Sequence, residues 1–115
     1  NLTVLLITHD LASAKLMSDR TAIMLRGRIV ESGFTQTVLS KPHHPYTQLI
    51  LETIPKRNRV LGGSSQYAST AEEVATGCVF RLRCKFATSI CENVDPKLEE
   101  KSPSHLAACH NPLNA

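Results

Sequence analysis

Several things are scarce in this 115-residue chain, and each scarcity excludes something. There is no tryptophan, and no apolar run is long enough to cross a bilayer as a helix. The net charge of +3 is too small to argue for a nucleic-acid partner. Basic residues cluster at Lys56, Arg57 and Arg59, a run that reads as solvated surface, and at Arg81, Arg83 and Lys85. The glycines are Gly27, Gly33, Gly62, Gly63 and Gly77, and none belongs to a G-x-x-x-x-G-K-[ST] loop. The chain therefore carries no phosphate-cradling loop of that kind. It opens at Asn1 with no initiator methionine and runs straight into a strand-like segment, which suggests a piece cut from a larger domain.

What is present begins with Asn1 to Asp10, NLTVLLITHD. Leu2 to Thr8 is a nearly continuous apolar and β-branched run, the pattern of a strand buried on both faces of a parallel sheet. Asp10 is a suitable N-cap for a helix over Leu11–Met17. His9 would then project from the carboxyl end of a strand, where open α/β sheets bind ligands, so it is the first functional candidate. The plain alternative is a hydrogen-bonded turn residue.

Thr21 to Leu25 and Arg28 to Glu31 read as two strands joined by Arg26-Gly27, a hairpin in which Gly27 takes the positive φ of a tight turn. Gly33 is expected to close the second strand. A helical turn over Gln36 to Leu39 stops at Lys41-Pro42, and Pro45 starts a further helix to about Thr53. The pair His43-His44 reads as packing at the entry to that helix, since adjacent side chains on an extended segment point apart and no third ligand lies near in sequence. Residues 56–76, centred on Gly62-Gly63-Ser64-Ser65, read as a linker, with one helical turn available to Ala71 to Ala75. The expected fold class is α/β: residues 1–55 as a strand, helix, hairpin and helices, and residues 77–112 as a small irregular cysteine-rich module.

All four cysteines lie in that module, spaced C-x5-C-x6-C-x17-C at Cys78, Cys84, Cys91 and Cys109. A segment this short buries too little apolar area to hold itself together without a cross-link. Disulfides suit small secreted modules. Structural zinc favours paired ligands two to four residues apart, which neither gap provides. An iron–sulfur cluster tolerates wider gaps, and Arg81, Arg83 and Lys85 could favour thiolates beside it. The spacing ranks cluster before zinc and zinc before disulfides, and all three stay open. His105 and His110 flank Cys109 and read as hydrogen-bonding or surface residues.

Four stretches together carry a resemblance. Leu6-Ile7-Thr8-His9-Asp10-Leu11 looks like the strand and switch histidine of an ABC-type ATPase. Ser18-Asp19-Arg20 through Met24, followed by Gly27-Arg28-Ile29-Val30-Glu31-Ser32-Gly33, is similar to a run in the same ATPases. His44-Pro45-Tyr46-Thr47 and the module from Gly77-Cys78-Val79-Phe80 to Ala108-Cys109-His110 narrow the likeness to the carboxyl-terminal part of ATP-binding subunits of dipeptide, oligopeptide and nickel importers. Val79 and Lys85 stand where that group usually has proline.

The resemblance implies ATP-driven import, with ATP and Mg2+ bound by the parent protein and His9 contacting the γ-phosphate. It implies a second ATP-binding subunit, transmembrane permease subunits, an indirectly coupled solute-binding protein, and a peripheral place on the cytoplasmic face of the membrane. It also implies a [4Fe–4S] cluster on Cys78, Cys84, Cys91 and Cys109, with zinc as the alternative metal. With no phosphate loop, the isolated chain is expected not to hydrolyse ATP. The competing reading is a free-standing metal-binding interaction module, and a weaker third is a secreted disulfide module.

Overall fold

The computed structural model describes residues 2–54 and 76–114. Except for Thr76, the expected linker at 56–76 lies outside the described residues, as does the helical turn at 71–75.

Asp10 caps α1 (Leu11–Met17): its carboxylate accepts the Ala12 N–H at 3.0 Å and the Ser13 hydroxyl at 2.6 Å. The helix ends where the Ser18 N–H and hydroxyl both turn back to the Ala14 carbonyl. β1 (Arg20–Leu25) and β2 (Arg28–Phe34) form the antiparallel hairpin. Its turn has Arg26 at φ 50° and Gly27 at φ 78°, the mirror-image turn whose twist matches the strands. The register shifts between Ile23 and Met24, so Val30 is an extra residue on β2. Val30 and Glu31, adjacent in sequence, are both buried.

β2 extends past Gly33 to Phe34, so Gly33 does not close the strand. Its requirement is space: a Cβ there would lie 3.0 Å from the Ser104 carbonyl oxygen and 3.1 Å from Val38. α2 (Thr35–Ser40) follows, tied to the hairpin by the Ser18, Thr21 and Thr35 hydroxyls at 2.7–3.2 Å. α3 (Pro45–Glu52) starts on proline as expected. Ile23, Val30 and Val38 form the buried centre, covered by Leu11, Leu25, Leu39, Tyr46, Ile50 and Val79.

The cysteine-rich part is more regular than its composition suggested. It contains a 3-10 turn at Arg81–Arg83, α4 (Ser89–Asn93), β3 (Glu99–Ser102) and β4 (His105–Ala107). β4 pairs antiparallel with β2, which makes one four-stranded sheet in the order β1-β2-β4-β3. The hairpin and the cysteine-rich part are thus continuous through backbone hydrogen bonds.

One expectation fails outright. Residues 2–8 form no strand, and Leu2 and Ile7 are each 89% exposed. A strand exists only through a ladder with a neighbour, and among the described residues none lies beside this segment. Apolar patterning specifies which faces seek burial but cannot provide the partner.

Candidate functional site

His9 is exposed, one residue before the cap of α1. Around it, the Thr8 hydroxyl accepts the Asp10 N–H at 3.0 Å, so the local turn is held and the imidazole is left accessible. The Ser13 hydroxyl, and then the Ala12 N–H, lower the Asp10 pKa and keep that cap anionic.

The four cysteines are free thiols in one neighbourhood, with Cys78, Cys91 and Cys109 buried and Cys84 half-buried. Electrostatic influence links them: Cys109 feels Cys78, Cys84 and Cys91, Cys78 feels Cys91 and Cys84, and Cys84 feels Cys91. Local backbone geometry brings them together. The Cys78 N–H donates to the Cys91 carbonyl at 2.8 Å, across Gly77 at φ 76°. A Cβ on residue 77 would lie 2.2 Å from that same Cys91 carbonyl oxygen, so only glycine fits. Cys78, Phe80 and Cys91 form a second buried cluster with Leu25, Tyr46 and Leu49.

A repeated motif surrounds the sulfurs. Cys78, Cys84 and Cys109 each accept a backbone N–H from two residues on, namely Phe80, Phe86 and Asn111. Cys91 Sγ accepts the Thr88 N–H at 3.5 Å and is 3.7 Å from the Asn111 amide nitrogen. Every sulfur therefore faces a donor, an arrangement that favours anionic sulfur. Burial opposes it. Desolvation raises the Cys78 and Cys84 thiols and pushes Cys109 up to about 11. No cation contributes to the Cys78, Cys84 and Cys109 shifts, and Arg81 donates to the Thr76 carbonyl.

Among the described residues no group of three or more His, Cys, Asp or Glu side chains is arranged to hold a metal ion. The donor type is that of a group ligated only by sulfur, since four thiols lie in one neighbourhood and each receives an N–H. Loading it would release protons, because ligands bind as thiolates.

Sequence reasoning missed the residue that joins the two halves, Glu31. Its carboxylate is fully buried and accepts the His43 N–H at 2.6 Å, the His44 N–H at 3.1 Å and His105 Nε2 at 2.5 Å. His43 stacks on His105 with ring centroids 3.8 Å apart. His43 Nδ1 donates to the Leu113 carbonyl at 2.7 Å, which leaves Nε2 to accept the Ser102 hydroxyl at 2.8 Å. The reading of His43 and His44 as entry packing stands, with His44 Nδ1 accepting the Tyr46 N–H at the start of α3. His105 is the buried hydrogen-bonding residue, and His110 bonds the Val94 carbonyl at 2.7 Å. The one signal available was a charged residue between Val30 and Gly33 in an otherwise core-like strand. Outside this array an ion pair between Arg28 and Asp95 links the hairpin to the same part of the chain.

A small α/β unit of this kind, a hairpin-centred sheet with flanking helices, is consistent with the carboxyl-terminal part of an ABC ATPase domain. Residues 30–91 match the family described as "Oligopeptide/dipeptide transporter, C-terminal region", and the chain belongs to that family. It is 38% identical over 119 aligned positions to the oligopeptide transport ATP-binding protein AppF of Bacillus subtilis, a match covering 96% of this chain and 35% of that protein. It is 36% identical to the dipeptide transport ATP-binding protein DppD of Haemophilus influenzae, over 98% of this chain and 35% of the relative. The chain thus spans about a third of the length of the curated relatives it matches.

Proposed function

We propose that this chain is the carboxyl-terminal part of an ATP-binding subunit that powers peptide import. One observation carries the reading: the similarity to peptide-transport ATP-binding proteins covers 96–98% of the chain, leaving out too few residues to exclude either His9 or Cys109. The names of these relatives favour peptides over nickel as the solute.

In this reading His9 acts on bound ATP. Phosphoryl transfer depends on positioning and on stabilising charge at the γ-phosphate, and an accessible imidazole supplies a hydrogen-bond donor for both purposes. Its exposure and its capped, fixed turn support that role. The phosphate cradle and the Mg2+ ligands come from other segments of the subunit and from a second ATP-binding subunit, because this sequence has no phosphate loop. Permease subunits hold the assembly at the cytoplasmic face of the membrane, and a solute-binding protein delivers the peptide. None of the described helices is long and apolar enough to cross a membrane.

Cys78, Cys84, Cys91 and Cys109 are the residues to hold a [4Fe–4S] cluster. Such a cluster spreads its ligands over the corners of a cube, so it suits sulfurs that share a neighbourhood without converging on one ion. The N–H donors facing the sulfurs support their ligating as thiolates. When bound, the group cross-links three segments of the module.

The test is uptake of a labelled dipeptide and of an oligopeptide by cells whose only copy of the subunit is this protein at full length. ATP-dependent uptake that is lost on deletion is the expected result. Normal uptake of both peptides after deletion contradicts the proposal.

A further inference from the structure

Cys78 and Cys91 meet through their backbones as well as their side chains. The Cys78 N–H donates to the Cys91 carbonyl at 2.8 Å. A bond of that length holds the two Cα atoms on the order of 5–6 Å apart, as between paired strands. A disulfide needs Cα atoms about 4.4–6.8 Å apart, so the spacing of this pair is that of a bridge. Gly77 permits the approach, because a Cβ there would lie 2.2 Å from the same carbonyl oxygen. Both side chains turn into one buried cluster with Phe80, and Cys91 acts on the Cys78 thiol electrostatically more than Cys84 does. Both are free thiols.

A route for a small oxidant is also present. Cys78 lines a cavity of about 50 Å³ with Val30, Val79, Leu98 and Ala108. Arg28 and Asp95 border the same cavity, and their side chains are 54% and 52% exposed, so it reaches solvent. One water needs only about 10–15 Å³ of such space, so a molecule the size of hydrogen peroxide fits.

We propose that Cys78 and Cys91 are a redox-sensitive pair, oxidised by hydrogen peroxide to a reversible disulfide when no ligated group occupies their sulfurs. The peroxide O–O bond breaks as one thiol sulfur takes an oxygen to become a sulfenic acid, and the thiol proton leaves in water. The second sulfur then attacks the first. The S–S bond forms, and the S–O bond breaks to release a second water. Two thiols lose two electrons and two protons, and one peroxide becomes two waters. Burial raises the Cys78 thiol, so the reaction takes minutes to hours rather than seconds. The bridge needs no metal and is independent of the cluster reading. It competes with any sulfur-ligated group for the same two sulfurs, so loading of the oxidised site waits on reduction.

The full-length protein is stripped of bound metal with a chelator under anaerobic conditions, reduced, and treated with a few equivalents of hydrogen peroxide. Thiols are counted, and unreduced peptides are mapped by mass spectrometry. The expected result is loss of two of the four thiols, a Cys78–Cys91 cross-link, and recovery of both thiols with dithiothreitol. Loop closure alone favours the nearer neighbours, Cys78 with Cys84 and Cys84 with Cys91, so a Cys78–Cys91 product reports the fold. In denaturant those nearer pairings are expected to displace it. Cys84→Ser is expected to keep the native cross-link and Cys91→Ser to lose it. Should a variant not fold, the wild-type map decides. Four thiols still free after treatment, or a native product dominated by another pair, overturns the proposal.

Discussion

The carboxylate of Glu31 lies 2.5 Å from Nε2 of His105, joining β2 to β4 across 74 positions of sequence. Both side chains are fully buried, and the same carboxylate also takes the backbone N–H groups of His43 and His44. One acidic group thus fixes the hairpin, the entry to α3 and the strand that leads to Cys109.

Truncating it exposes the cost of that concentration. Glu31→Ala leaves two buried backbone donors and a buried imidazole without an acceptor. Breaking a buried pair in this way costs on the order of 3–5 kcal/mol. Chemical denaturation of the full-length protein should show a loss in that range, with Glu31→Gln less affected because it keeps one carbonyl acceptor. A change below about 1 kcal/mol for Glu31→Ala would place the joint elsewhere.

Gly77→Ala tests the backbone crossing at the cysteine site. The added methyl meets the Cys91 carbonyl oxygen at 2.2 Å, in a backbone conformation with φ 76° that alanine rarely adopts. Left-handed strain alone costs about 1–3 kcal/mol, and the clash adds to it. We expect thiol labelling of Cys78 and Cys91 to rise at least several-fold in the native protein. Unchanged labelling would mean that this crossing does not hold the site.

The pH dependence of stability follows from His44. Burial lowers its pKa from 6.5 to about 4, so the folded state favours the neutral ring more than the unfolded chain does. Its contribution is full above pH 6.5 and is lost as pH falls towards 4, because the unfolded state takes up the proton first. Denaturation midpoints should fall over that window in the wild-type protein and fall less steeply in His44→Asn. Parallel slopes for the two proteins would remove His44 from the account.

The features legible in the sequence were the local ones. Asp10 before an apolar helical face, Arg26-Gly27 between two β-branched runs and Pro45 at a helix start each act within a few residues, and each appears as expected. Leu2 to Ile7 shows the limit of patterning, because the partner a strand needs is a fact about another segment. Glu31 shows a second limit. A glutamate in a short strand ordinarily reads as a surface residue, and its burial depends on a bulge at Val30 and on a histidine 74 positions away. The run Arg81, Arg83, Lys85 promised low thiol pKa values by proximity in sequence, yet desolvation determines the direction.

His9 bears the central claim, that this chain belongs to an ATP-hydrolysing importer and contributes a group that acts on the γ-phosphate. The direct measurement is single-turnover ATP hydrolysis by the reconstituted transporter, wild type against His9→Ala, with nucleotide binding measured in parallel. The account predicts hydrolysis reduced about 10²–10³-fold, the effect of removing one well-placed transition-state donor, with ATP still bound. Hydrolysis at the wild-type rate in His9→Ala would contradict it.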